Sequence, residues 1–125
     1  MLGNASIAPT LPVNDLQRAV KFYKNTLGLK ETNYSTDRGA MFEAGDGSYL
    51  FLYSRPNTSS EHTLAGFKVD DLEAVVKSLR SKGVEFEEYD QEDLKTDDLG
   101  ISTRGNMKSA WFKDTEGNIL SVAQF

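Results

Sequence analysis

Apolar residues recur in two rhythms along this chain, every second position in some stretches and every third or fourth in others, and the switch between rhythms outlines its elements. Ile7 to Val13 reads as a strand. Asn14 or Asp15 can then cap a helix by accepting its free backbone N–H groups, and Leu16, Ala19, Val20, Tyr23 and Leu27 follow at helical spacing. Gly28 supplies the stop. Three strands are predicted next, over Lys30 to Ser35, Ala40 to Ala44 and Tyr49 to Ser54, with Gly45-Asp46-Gly47 turning between the last two.

The plan then repeats. A strand is predicted over Thr63 to Val69, and a helix over Asp71 to Lys82 that presents Leu72, Val75, Val76 and Leu79 and ends at Gly83. Strands near Val84 to Tyr89, Ile101 to Thr103, Lys108 to Lys113 and Ile119 to Phe125 complete the second half, with Asp114 to Asn118 as the final turn. Arg55 to Glu61, rich in Ser, Thr, Asn and Pro, reads as a linker.

Two local matches point to an internal duplication. At an offset of 56 (69 − 13), Val13, Asp15, Leu16, Val20 and Lys21 correspond to Val69, Asp71, Leu72, Val76 and Lys77. At an offset of 70 (110 − 40), Ala40, Phe42, Gly47 and Leu50 correspond to Ala110, Phe112, Gly117 and Leu120. The second copy therefore holds 14 extra residues (70 − 56), and Glu88 to Met107 is where they fit, as a long loop with one irregular strand. The expectation is an α+β fold of two tandem βαβββ modules, about 5–55 and 62–125, in one domain spanning 1–125.

Composition narrows the function. Charged residues at 26% and apolar ones at 38% suit a globular chain with a real core, and no apolar run approaches the roughly 20 residues that cross a bilayer. A net charge of −5 repels a nucleic-acid backbone, and no segregated basic face offsets it. Met1 to Ser6 has no basic stretch leading into an apolar one, and there is no cysteine, so a cytoplasmic protein is expected. No Ser-His-Asp set, P-loop or dinucleotide fingerprint stands in the sequence.

Leu11-Pro12-Val13-Asn14-Asp15-Leu16, Phe22-Tyr23 with Leu27-Gly28-Leu29, and the closing Trp111-Phe112-Lys113-Asp114-Thr115-Glu116-Gly117-Asn118-Ile119-Leu120 together carry a resemblance over nearly the whole chain. The sequence resembles the vicinal oxygen chelate superfamily, which includes glyoxalase I, bleomycin-resistance proteins, fosfomycin-resistance enzymes and extradiol dioxygenases. The resemblance implies paired modules whose mixed sheets curl into a half-barrel cup, with the helices on the outer face. It also implies a divalent metal held by His or Glu from the first and last strand of each module, and those places fall on Ala8, Phe51, Leu64 and Ser121. None has the carboxylate or imidazole that such a cation needs. His62, the only histidine, reads as a surface residue, and Glu43 and Glu116 as turn or surface carboxylates. A register slip of two would bring His62 into the inward row, leaving His62 with Glu43 as the alternative metal ligands.

In place of a metal, period-two alternation puts Tyr49 and Tyr53 on the face of Phe51, Ile119 and Ala123 beside Ser121, and Trp111 inward as the duplicate of Met41. Tyr hydroxyls, the Trp111 N–H, Ser121 and Arg104 would orient a ligand in this aromatic-lined cup. Arg38 and Arg104 otherwise read as surface-loop cations. The leading expectation is a metal-free, cofactor-free binding protein for an aromatic or amphipathic small molecule, akin to the bleomycin-resistance branch, which implies a homodimer. Two alternatives stay open: a metal-dependent lyase, isomerase or dioxygenase of the glyoxalase type, and a protein-interaction module.

Overall fold

The computed structural model describes residues 1–56 and 61–125; residues 57–60, in the middle of the expected linker, lie outside the described residues. The chain falls into two compact units, Met1–Ser59 and Ser60–Phe125. Each is a four-stranded mixed, unclosed sheet with a helix on one face, so the fold is α+β.

In the first unit β1 (Thr10–Val13), α1 (Leu16–Lys21), β2 (Lys30–Ser35), β3 (Gly39–Glu43) and β4 (Tyr49–Ser54) follow in sequence. The sheet runs β1-β4-β3-β2 with β1 parallel to β4. The predicted first strand is shortened to Thr10–Val13, and Ile7 is 85% exposed. At the edge of this unit's sheet β1 tolerates Pro12: the Pro9 and Val13 carbonyls accept from Phe51 and Arg55, so the alternating Pro12 nitrogen points away from β4.

Asp15 caps α1, its Oδ1 accepting from the Arg18 N–H at 3.1 Å. The helix loosens into a π-helical turn over Phe22–Thr26, where the Leu27 N–H reaches back to the Phe22 carbonyl. This carries Tyr23 into full burial, its ring 6.0 Å from that of Phe42. Gly28 ends the turn at φ 78°, a conformation that costs glycine nothing. With α1 against β3 and β4, Leu11, Val13, Ala40, Phe42, Leu50 and Leu52 form the core of this unit.

The second unit contains β5 (Thr63–Lys68), α2 (Leu72–Ser81), β6 (Asp90–Gln91), β7 (Leu94–Lys95), β8 (Ser102–Arg104), β9 (Met107–Lys113) and β10 (Ile119–Gln124). Its sheet order, β5-β10-β9-β8, repeats the first with β5 parallel to β10. Asp71 caps α2 as Asp15 caps α1, accepting from the Ala74 N–H at 3.1 Å, while Gln124 accepts from the Leu72 N–H. Leu72, Val76 and Leu79 bury the apolar face. At the other end the Val84 N–H bonds the Leu79 carbonyl and Gly83 to Arg80, a Schellman closure.

The duplication holds residue by residue. Thr10 pairs with Phe51 across the parallel strands, and Gly66 with Ser121, giving offsets of 56 (66 − 10) and 70 (121 − 51). Met41 opposite Phe51 becomes Trp111 opposite Ser121 at the same offset of 70 (111 − 41).

The expected strand over Val84 to Tyr89 is reduced to a single bridge, Phe86 to Phe112, which answers the pair Glu31 and Phe42 in the first unit. The 11 residues separating that first pair (42 − 31) become 26 in the second (112 − 86). The insertion leaves the sheet after Glu87, folds its own hairpin β6–β7 with Asp90 opposite Lys95, and rejoins as β8. Where one irregular strand was expected, the segment from Glu88 to Met107 thus holds three short ones.

Candidate functional site

Burial alternates along β4 because only one side of the sheet is covered by α1. Leu50 and Leu52 are buried toward the helix; Tyr49, Phe51 and Tyr53 stand on the other, open face. Register adds Met41 and Thr10 beside Phe51, Pro12 and Gly39 beside Tyr53, and Glu43 beside Tyr49. Gly39 leaves a gap that the Phe51 ring fills. The Tyr34 ring, at the free edge of the sheet on β2, tilts against Phe51 with centroids 5.6 Å apart. The four expected residues of this unit, Met41, Tyr49, Phe51 and Tyr53, therefore share one surface. Tyr34 belongs with them and was missed in the sequence, although period two along β2 could have flagged it.

On β9 of the second unit Ala110 and Phe112 face α2, which turns Trp111 to the open side, opposite Ser121. Ser121 in turn faces Gly66, where a Cβ would lie 2.7 Å from the Ser121 hydroxyl oxygen; the missing side chain makes room for it. Ile119 and Ala123 flank Ser121 and are both buried. Arg104 lies opposite Met107 at the far end of this face and donates to the Asp93 carbonyl at 3.1 Å, tying β8 to the insertion. Arg38 sits in the exposed turn before β3, its N–H donating to Thr36 Oγ1.

The insertion brings a further aromatic. The Tyr89 ring meets Trp111 edge-on, centroids 5.6 Å apart and planes 80° to each other. Burial, and behind it the Glu87 carboxylate, hold the Tyr89 phenol above its ordinary pKa of 10.0, so it stays a protonated hydrogen-bond donor. Tyr89 ends the strand expected from Val84, and that run gave no sign that the chain would fold back over Trp111.

The metal-ligand places offer a poor donor set. Ala8 precedes β1 by two residues and contributes a carbonyl already taken by the Thr10 hydroxyl. Phe51 and Leu64 carry no lone pair, and Ser121 brings one hydroxyl. His62 stands in an exposed bend just before β5, and Glu43 at the end of β3 in the other unit. Among the described residues no three His, Cys, Asp or Glu side chains gather to hold an ion.

Glu116 is not a surface carboxylate. It is buried in the β9–β10 turn with its neighbour Thr115 donating to it at 2.7 Å, so its work is structural. An open groove of about 570 Å³ lies at the C-terminal end of α2, lined by Arg80, Gly83, Val84, Glu85, Phe86 and Glu88. None of the expected ligand-binding residues lines it. No helix among the described residues is long and apolar enough to cross a membrane.

Solved structures share this architecture over the full length. An integron cassette protein from the mobile metagenome of the Halifax Harbour sewage outfall superposes with a TM-score of 0.72 at 20% identity, covering 98% of this chain and 99% of that one. The fosfomycin resistance protein FosX from Listeria monocytogenes does so at 0.73 and 16% identity, covering 98% and 93%. Lactoylglutathione lyase from Agrobacterium tumefaciens gives 0.73 and 17%, covering 97% and 93%. At these identities the likeness speaks to fold alone. No curated protein matches the chain. The family model of the Glyoxalase/Bleomycin resistance protein/Dioxygenase superfamily matches residues 6–122, nearly the whole of both units, and the chain belongs to that superfamily.

Proposed function

We propose that this protein is a metal-free small-molecule binding protein of the glyoxalase/bleomycin-resistance type, which takes an aromatic or amphipathic ligand on its open aromatic faces. The observation that carries the reading is the stripe of Tyr49, Phe51 and Tyr53, flanked by Met41 and Tyr34, on the side of the sheet that the helix leaves bare. Such an aromatic surface calls for cover, and a flat ligand stacked on it gains about 0.5–1.5 kcal/mol per ring pair beyond area burial. In the first unit Met41, Tyr49, Phe51 and Tyr53 act as the walls of one such face; in the second unit Trp111 is the wall of another, with Ser121 and Arg104 as its polar groups. The poor donor set at Ala8, Phe51, Leu64 and Ser121 supports binding without a cation. The protein works in the cytoplasm as a homodimer, as the bleomycin-resistance resemblance implies.

Thermal shift across a library of aromatic compounds, combined with elemental analysis of the purified protein, tests this. A ligand that binds only the folded state raises the melting temperature by mass action. The expected result is stabilisation by aromatic compounds, unchanged by EDTA, in protein free of stoichiometric metal. Metal bound one to one that supports turnover would overturn the reading in favour of a metal-dependent enzyme. A failure of every aromatic compound, with a protein partner recovered instead, would favour an interaction module.

A further inference from the structure

The insertion that breaks the symmetry of the two units ends beside Trp111, and it is firmly tied down. Tyr89 and Thr96 are joined by three bonds, the Thr96 N–H to the Tyr89 carbonyl, the Tyr89 N–H to Thr96 Oγ1, and the Thr96 hydroxyl back to the Tyr89 carbonyl. The Asp97 carboxylate accepts from the Ile101 N–H where the segment rejoins the sheet, and Arg104 holds Asp93 near the hairpin turn. Tyr89 is therefore held in place by the backbone on either side of it.

Its ring and that of Trp111 are nearly perpendicular, which makes a corner with two π surfaces. Among the described residues neither the Tyr89 hydroxyl nor the Trp111 indole N–H has a hydrogen-bond partner, and neither ring is fully buried. The corner thus presents two unused donors beside two ring faces. The first unit has no equivalent, because its chain runs without insertion from Glu31 to Phe42.

We propose that Tyr89 is a specificity-determining residue: with Trp111 it forms a corner that selects flat aromatic molecules carrying hydrogen-bond acceptors over equally flat ones that carry none. This rests on the small-molecule reading above and goes beyond it in naming the residue and the ligand chemistry. An acceptor-bearing ring can stack on one wall while accepting a hydrogen bond from the phenol or indole; a pure hydrocarbon can only stack.

Trp111 is the only tryptophan, so fluorescence excited selectively at the indole, beyond the absorption of the tyrosines, reports this corner alone. Coumarin, flat with two acceptor oxygens, and naphthalene, of similar shape with none, are titrated against the wild type, Tyr89→Phe and Tyr89→Ala. Coumarin is expected to quench Trp111 saturably and to bind more tightly than naphthalene. Tyr89→Phe should weaken coumarin roughly three- to tenfold, the loss of about one hydrogen bond, and leave naphthalene unchanged. Tyr89→Ala should weaken both. Equal affinity of wild type and Tyr89→Phe for coumarin, or no saturable quenching by coumarin in the wild type, overturns the inference. If other aromatic compounds still stabilise the protein in the thermal shift screen, the small-molecule reading survives that failure; if none does, both fall. Because Tyr89→Phe removes only the hydroxyl, the comparison holds even where Tyr89→Ala disturbs the insertion.

Discussion

Gly39 and Phe51 are fitted to each other across β3 and β4: a Cβ on Gly39 would lie 2.7 Å from the ring carbon Cζ of Phe51 and 3.2 Å from the Leu52 carbonyl. The ring occupies the space a side chain would need, and from there it meets Tyr34. Gly39→Ala should therefore push the ring off Tyr34. Because a half-buried ring can swing, the stability loss is modest, about 1 kcal/mol. Aromatic-ligand affinity should fall more, and thermal melts with and without ligand separate the two effects. A variant with unchanged stability and unchanged ligand shift would show that the fit does not matter.

The two faces of β4 should answer mutation differently. Leu52 is fully buried under α1, so Leu52→Ala leaves a cavity and should cost about 2–5 kcal/mol in chemical denaturation. Its neighbour Tyr53 is only half buried on the open side, so Tyr53→Ala should cost about 1 kcal/mol or less while reducing the ligand-induced melting shift. Equal destabilisation by both would mean that the aromatic stripe is ordinary core.

Much of this was legible because duplicated patterns constrain each other. The offsets of 56 and 70 reappear as strand registers, Thr10 with Phe51 and Gly66 with Ser121. Alternation along β4 placed Tyr49, Phe51 and Tyr53 together because one face of a helix-backed sheet is apolar and fully covered. Legibility ended where that contrast ended. Phe86 makes only one bridge, and the chain then leaves the sheet, so neither period two nor helical spacing governs the residues up to Ser102. Tyr89 and the hairpin β6–β7 were hidden for that reason. The start of β1 was overextended because Ile7 fits the alternation, yet its side chain has nothing to pack against.

The β9–β10 turn hangs on one carboxylate. Buried Asp114 accepts from the Glu116 and Asn118 N–H groups at 2.8 and 2.9 Å through one oxygen, and from Asn118 Nδ2 at 2.9 Å through the other. Ala44 holds the equivalent place in the first unit (114 − 70 = 44), where the Ala44 N–H bonds Ser48 and a Ser48 hydroxyl donates to Gly45 instead. Asp114→Ala should cost about 3 kcal/mol, since it strands three buried donors. Asp114→Asn should also destabilise, because its amide would set a donor against Asn118 Nδ2 or forfeit the paired acceptors. Urea denaturation curves indistinguishable from the wild type would remove the turn from the account of stability.

Tyr89 also ties stability to alkaline pH. Burial first, and the Glu87 carboxylate second, raise its folded-state pKa above the ordinary 10.0, so the native state favours the neutral phenol more than the unfolded chain does. Below the ordinary value both states keep the proton and the contribution is fully present. As pH climbs from there through the raised value, the unfolded chain ionises first, and stability is lost. Tyr89→Phe has no proton to lose at this position, while the other four of the five tyrosines are common to both proteins and cancel in the comparison. The stability difference between wild type and Tyr89→Phe should hold level up to about pH 10 and then shift against the wild type. Ultraviolet titration of the folded protein should show a late-ionising phenol in the wild type that the variant lacks. A difference that stays level through the alkaline range would mean that the Tyr89 hydroxyl is as well solvated over Trp111 as in the unfolded chain.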